Sequence, residues 1–254
     1  INSLYGILGN RFFRYYNLDN AEAVTRSGQL AILWIERKLN EFFNNSLGIS
    51  KDRCIAIDTD SVYFCLEDLV NKHMKGWSDE KIVDSLDKFT KEKIEPYINK
   101  SYAELAEYTN AYEQKMTMKR EVIASTGFWT AKKRYALNVY DMEGVRYKIE
   151  DIKKGKKLKI IGLETQKSST PMFIQEALKE SIRIILQENN ELLFTYIQNF
   201  ENTFKSKPYR DICEITSVNN LKKYSDKNGM PIKGAQSHVK GALAYNRMAK
   251  NFPD

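Results

Sequence analysis

The chain is predicted to be an α+β protein, an antiparallel sheet backed by helices and followed by a mainly helical segment. Three observations lead there. Two short apolar β-forming runs, residues 54–57 and 62–66, flank an acidic turn. Upstream, Ala23, Val24, Leu30, Ala31, Trp34, Leu39 and Phe42 recur at helical three- and four-residue steps. Beyond Thr170, Phe173, Ala177, Leu178, Ile182, Ile185 and Leu186 form another helical stripe.

The elements follow in order. Residues 1–16 read as the end of a helix and a turn. A long helix is expected over residues 20 to about 43, with Gly48 marking its end and its buried face supporting the hairpin that follows. A helical stretch over about 79–108 has Ser78 as its N-cap. Pro96, which lacks an amide donor, should kink or split it. Residues 115–123 read as a strand, with Met116, Met118 and Val122 alternating. Residues 134–140 and 145–149 make a hairpin around Asp141-Met142-Glu143-Gly144, and residues 157–163 add a strand. Lys153-Lys154-Gly155-Lys156-Lys157 reads as a charged hairpin tip. Thr170-Pro171 caps the next helix, with proline at its first position. A further helix covers roughly 191–205, and the tail from Pro208 mixes short elements with Asn-Gly and Lys-Gly turns. No internal repeat or low-complexity segment occurs.

At 254 residues the chain can bury a substantial core. Hydrophobic content of 42% and charged content of 29% are those of an ordinary globular protein. No apolar run approaches the roughly 18 residues of a membrane span, and no signal-like start is present. Cys54, Cys65 and Cys213 are odd in number and lack metal-type spacing, which predicts free thiols in a reducing compartment. Only His73 and His238 are histidines, so a His-based zinc site or a Ser-His-Asp triad has little support. No phosphate-binding Gly-rich loop is found. The net charge of +7 is segregated: residues 119–167 carry 13 basic and 6 acidic side chains, residues 205–250 carry 10 and 3. The remainder is acidic, so two surfaces are suited to a polyanion.

The chemistry centres on Asp58-Thr59-Asp60-Ser61. In extended backbone, residues two apart project from one face, so Asp58 and Asp60 should point together from the hairpin tip. Paired carboxylates repel unless a cation lies between them. Magnesium suits that place, since it keeps positions for water and substrate phosphates. Asp, Thr and Ser are also ordinary turn residues, so the spacing alone leaves a plain polar turn open.

Several ordered blocks supply a wider context. Asn2-Ser3-Leu4-Tyr5-Gly6-Ile7-Leu8-Gly9-Asn10 stands about fifty residues before Asp58-Thr59-Asp60-Ser61. Phe128-Trp129-Thr130-Ala131-Lys132-Lys133-Arg134-Tyr135, then Gly162-Leu163-Glu164-Thr165-Gln166-Lys167-Ser168-Ser169-Thr170-Pro171, then His238-Val239-Lys240-Gly241-Ala242-Leu243-Ala244-Tyr245-Asn246-Arg247 follow. Together they resemble the signature motifs of family B DNA polymerases, in particular the replicative enzymes of T-even-type bacteriophages. The likeness runs over nearly the whole chain.

The resemblance implies a C-terminal fragment: the end of the fingers at 1–18, a palm at 19–168 and a partial thumb at 169–254. A start at Ile1, within the first block and without an initiator Met, agrees. The implied activity is DNA-directed DNA polymerisation, with two Mg2+ ions joining a dNTP to a primer 3′-hydroxyl. Asp60 would be the principal metal ligand, Asp58 its auxiliary and Glu121 a further acidic group. Another aspartate and a fingers lysine would precede Ile1, so the fragment alone should be nearly inactive. Asn2, Tyr5 and Gly6 would face the nucleotide, Gly6 allowing close approach. Ser61, Lys132, Lys133, Arg134 and Tyr135 would meet DNA, with Lys133 at the minor-groove edge and Arg134 and Tyr135 positioning it. His238, Lys240 and Gly241 would touch duplex phosphates.

Implied partners are primer-template DNA, dNTP, the missing N-terminal portion and, in the full-length protein, a sliding clamp. No membrane is involved, and the location is the host cytoplasm. Two features depart from the family pattern. Ala56-Ile57 replace Tyr-Gly before the acidic turn, and the loop Ala124-Ser125-Thr126 is short. The other reading is a non-catalytic duplex-binding module; a nuclease using the same hairpin is a third.

Overall fold

The structure is a computed structural model that describes residues 4–214 and 216–249. It is α+β, as expected. A short helix α1 (Leu4–Leu8) leads through tight turns to α2 (Leu18–Leu47). The Asn17 side chain caps α2 by accepting from the Asn20 amide at 2.8 Å. Gly48, in the left-handed region at φ 70°, ends it. Its buried face is Ala31, Ile32, Ile35, Leu39, Phe43 and Leu47. Val24 and Leu30, expected on that stripe, are exposed, because the face follows four-residue steps from Ala31.

Next come β1 (Cys54–Asp58) and β2 (Ser61–Phe64), an antiparallel hairpin. Val62 and Phe64 pack on the α2 core, with the Phe43 and Phe64 rings 5.8 Å apart. Helix α3 (Glu67–His73) leads to α4 (Asp79–Phe89), where the Ser78 side chain accepts from the Lys81 amide as expected. Pro96 does not split the helical run. A π turn, Thr90–Ile94, joins α4 to α5 (Glu95–Tyr108), and Pro96 lies in the first turn of α5. The wide turn absorbs the missing donor and the bulk of the ring. Ile98, Tyr102 and Leu105 of α5 close the core against α2, and Trp34 Nε1 donates to the Ser101 carbonyl at 2.9 Å.

A second sheet is built on β4 (Arg134–Met142). On one edge it pairs with β3 (Val122–Ala131). On the other it pairs with β5 (Val145–Arg146) and, after α6 (Ile149–Lys153), with β6 (Leu158–Ile161). Tyr135 to Val139 are buried without interruption, as befits a central strand covered on both faces.

Three expectations change here. The strand begins at Val122 rather than 115, because residues 115–121 pair with no strand among the described residues. Ala124-Ser125-Thr126 is a bulged stretch inside β3 rather than a loop. Residues 153–157 join α6 to β6 instead of forming a hairpin tip, with Gly155 at φ 62° making the turn.

The sheet is tied to α4 by an ionic network centred on the buried Asp141. Arg120 donates to Asp87 at 2.6 Å and to Asp141 at 2.5 Å. Arg146 reaches Asp141 at 3.1 Å and Asp84 at 2.6 Å. Asp141 is only 1% exposed.

The chain divides into two compact units, residues 1–161 with 186–188, and residues 162–185 with 189–254. The second contains α7 (Met172–Leu186, apart from its last residue), α8 (Asn190–Ser206), α9 (Tyr209–Ile212) and α10 (Ser237–Ala249). Phe173 of α7 stacks on Phe200 of α8 with centroids 5.3 Å apart. No helix among the described residues is long and apolar enough to cross a membrane.

Candidate active site

Asp58 and Ser61 pair across the β1–β2 hairpin, leaving Thr59 and Asp60 as a two-residue tip. Thr59 takes the left-handed conformation at φ 52°. The Asp58 carbonyl accepts from the Asp60 amide at 2.6 Å and from the Ser61 hydroxyl at 3.1 Å. The hydroxyl of Ser61, expected on DNA, thus braces the tip. Asp58 ends its strand and Asp60 lies beyond it, so strand alternation does not relate the two carboxylates.

A second tip meets the first. Lys132 and Lys133 form the two-residue turn between the Ala131–Arg134 pair of β3 and β4. Lys133 is left-handed, at φ 59°, an uncommon conformation for a residue with a side chain. Its Nζ donates to Asp58 Oδ1 at 2.6 Å and lies 3.1 Å from Thr59 Oγ1. The Thr59 hydroxyl also donates to Asp58 at 3.0 Å. The Lys133 hydrogen bond holds the Asp58 carboxyl below the usual carboxylate range, against the opposing effect of partial burial. Reciprocally, Asp58 raises Lys133. Lys132 is exposed, and Arg134 is half-buried.

Aromatic rings underlie both tips. Tyr63 of β2, Trp129 of β3 and Tyr135 of β4 have centroids 5.3–5.9 Å apart. The Tyr63 and Tyr135 hydroxyls lie 2.7 Å from each other. Burial first, then this hydrogen bond, pushes the Tyr135 phenol well up. Tyr135 is buried, under the tip rather than on its surface. Thr59, Tyr63 and Trp129 were not singled out from sequence. The available signal was the alternation that puts Ser61 and Tyr63 on one face of β2.

Asp60 is exposed, and its carboxylate has no hydrogen-bond or ion-pair partner among the described residues. It is one of the residues lining a cleft of about 920 Å³, together with Val62 and Phe64 of β2, Ile82 and Leu86 of α4, Ile98 of α5 and residues 117–127. No ladder joins β1–β2 to the second sheet, so β2 and β3 each keep an unpaired edge among the described residues.

Glu121 lines the same cleft as Asp60. Its carboxylate pairs with Lys159 of β6. No group of three or more His, Cys, Asp or Glu that could hold a metal ion exists among the described residues. Asp58 and Asp60 are hard oxygen donors of the kind Mg2+ takes. They fit part of a magnesium site and leave the rest of its shell to other ligands.

Of the proposed nucleotide-facing residues, Asn2 lies outside the described residues. Tyr5 and Gly6 are exposed on α1, with open space where a Gly6 side chain would be. In the second unit, His238, Lys240 and Gly241 are exposed near the start of α10, while Val239 and Leu243 turn inward.

Over nearly its whole length this chain is similar to curated proteins named DNA-directed DNA polymerase. The particular relatives are those of Enterobacteria phage T4 and Escherichia phage RB69. The T4 protein is 46% identical over 260 residues, covering 97% of this chain and 28% of the relative. The RB69 protein is 47% identical over 265 residues, covering 100% and 29%. The chain therefore spans less than a third of the length of the curated relatives it matches. No protein-family model matches it.

Proposed function

We propose that this chain is the palm and partial thumb, with the end of the fingers, of a DNA-directed DNA polymerase. In the intact enzyme it would help join a dNTP to a primer 3′-hydroxyl on a DNA template. The carrying observation is the whole-length relationship to the T4 and RB69 polymerases. The facing acidic and basic tips support it. Asp60, exposed and without a hydrogen-bond or ion-pair partner among the described residues, is the residue to hold magnesium, with Asp58 beside it. Bound there, magnesium ions would neutralise the triphosphate and activate the hydroxyl. Tyr5 and Gly6, with Asn2, would pack against the nucleotide. Lys132 and Lys133 would reach DNA, and His238, Lys240 and Gly241 would bind duplex phosphates in a salt-sensitive, sequence-independent way.

The cleft between β2 and β3 suits an upstream portion of the polymerase. Two unpaired strand edges and apolar walls are what an added strand would cover. The indole N–H of Trp129, one of the lining residues, is buried without a hydrogen-bond partner among the described residues. Such a strand could also bring the third carboxylate that the described residues lack. A sliding clamp and the host cytoplasm go with the same reading of the full-length protein.

The test is complementation. The chain is mixed with a separately produced upstream portion of a T4-type polymerase, and primer extension is measured. Extension that needs both parts and disappears with Asp60→Asn is expected. Salt-sensitive duplex binding without extension in any mixture would establish the non-catalytic module instead, and magnesium-dependent cleavage by the chain alone would establish a nuclease.

A further inference from the structure

We propose that the segment around α6 is a second contact for DNA: Lys148, Lys153, Lys154 and Lys156 present a rigid cationic surface to the phosphates of a duplex, at the end of β4 away from the acidic tip. The identity of the polyanion rests on the polymerase reading.

The sequence concentrates charge there. Residues 148–157 hold five lysines against two acids, Glu150 and Asp151. Antiparallel pairing fixes where they lie. Ile161 of β6 stands opposite Tyr135 and Leu158 opposite Asn138, so the residues before Leu158 extend past Asn138, away from Lys133. The Val139 amide donates to the Lys157 carbonyl at 2.8 Å. From Lys133 to Val139 the strand runs about 20 Å, at about 3.3 Å per residue. These lysines are therefore distinct from the two at the basic tip.

Lysines that only solubilise a loop need no fixed backbone, but this one is held at three points. Ile152 of α6 is 1% exposed, and its carbonyl accepts from the Asn138 side chain at 3.1 Å. The Lys153 carbonyl accepts from the Gln187 side chain at 2.9 Å. The Lys157 carbonyl takes the Val139 amide, and Gly155, itself buried, turns the chain between them. Lys148, Lys153, Lys154 and Lys156 are exposed. An ammonium carried on a fixed backbone has less freedom to lose when it meets a phosphate.

The neighbouring acids do not consume this charge. Lys153 lies 3.8 Å from Asp79 and Lys156 3.7 Å from Asp151, with the lysine side chains 69% and 57% exposed. Ion pairs that long and that wet contribute little, so a phosphate can replace them. Lys148 has no hydrogen-bond or ion-pair partner among the described residues. Ile152 is turned inward, so the surface lacks the apolar centre of a protein–protein contact. A duplex, with one negative charge about every 1.7 Å of axis, matches a group of point charges.

The experiment compares the 254-residue chain with the Lys148→Gln/Lys153→Gln/Lys156→Gln variant and with the corresponding triple arginine variant, each checked for folding by circular dichroism. Binding of a labelled duplex is read by fluorescence anisotropy across a salt series. The glutamine variant should bind about tenfold or more weakly at low salt, with a salt slope lower by about two to three. The arginine variant should match the wild type, which separates charge from packing.

Wild-type affinity and slope in the glutamine variant overturn this contact and leave the polymerase reading standing. An arginine variant as weak as the glutamine one overturns the electrostatic argument. Loss confined to a single-stranded oligonucleotide, or to binding of the upstream polymerase portion, with duplex binding unchanged, overturns the choice of a duplex. Loss of duplex affinity in the glutamine variant, with no primer extension in any complementation mixture, keeps the contact and overturns the polymerase reading.

Discussion

The hydroxyls of Tyr63 and Tyr135 lie 2.7 Å apart, so one hydrogen bond joins the acidic hairpin to the strand that starts just after Lys133. Both rings also pack on Trp129. Removing one hydroxyl leaves the other without that partner in a largely dry setting. Tyr63→Phe should therefore cost about 1–3 kcal/mol. The Tyr63→Phe/Tyr135→Phe double variant should cost less than the sum of the single changes. Urea denaturation of the four proteins measures the coupling, and strict additivity would show that the hydrogen bond contributes nothing.

Asp141 is the buried hub between Arg120 and Arg146. Burial pushes its carboxyl upward, but the hydrogen bonds from Arg120, Arg146 and the Gly144 amide prevail and hold it below its ordinary value. Asp141→Ala should destabilise by about 3–5 kcal/mol, because Arg120 is left buried with half of its anionic partners. The folded value lies below the unfolded value of about 3.9. The stabilisation is thus fully present above about pH 4 and is lost as pH falls through the folded value. The stability gap between wild type and Asp141→Asn should be constant from pH 7 to 5 and shrink below pH 4. A gap that widens on acidification would refute the ionised assignment.

Gly127 lies within β3, facing Leu137 of β4. A methyl group there would collide with Leu137 Cδ2 and press on the Trp129 ring at 3.3 Å. Leu137 is 4% exposed and has little room to retreat. Gly127→Ala should cost about 1–3 kcal/mol by overpacking, and Leu137→Val in the same chain should recover part of it. An unchanged denaturation midpoint for Gly127→Ala would contradict this packing.

Gly6 gives the opposite expectation. Nothing lies within 4 Å of a side chain added there. Gly6→Ala should leave the thermal midpoint unchanged or slightly raised, as alanine favours helix by about 1 kcal/mol. In the complemented enzyme, the same methyl should raise the KM for dNTP by about tenfold or more if Gly6 faces the nucleotide. Steady-state primer extension measures it; an unchanged KM removes Gly6 from the nucleotide site.

What could be read along the chain follows from interactions between near neighbours. The Ser78 and Gly48 ends of helices depend on a side chain or a φ angle within a few residues. The hairpin at Asp58-Thr59-Asp60-Ser61 depends on two apolar runs and a turn between them. The extent of β3 was harder. Met116 and Met118 alternate as strand residues do, yet alternation supplies no partner, and ladder pairing starts only at Val122. Pro96 was rightly a disturbance, but whether a helix breaks or widens is settled by its packing, here on α2.

By itself the sequence determined the α+β class, the acidic hairpin, its relationship to the phage DNA polymerases and the separation of charge along the chain. Tertiary structure alone decided that Lys133, 75 residues from Asp58, would sit on its carboxylate, and that Glu121 would pair with Lys159. The reason is the range of the forces. Caps and turns act over a few covalent bonds, whereas the meeting of two hairpin tips requires Tyr63, Trp129 and Tyr135 to pack together first.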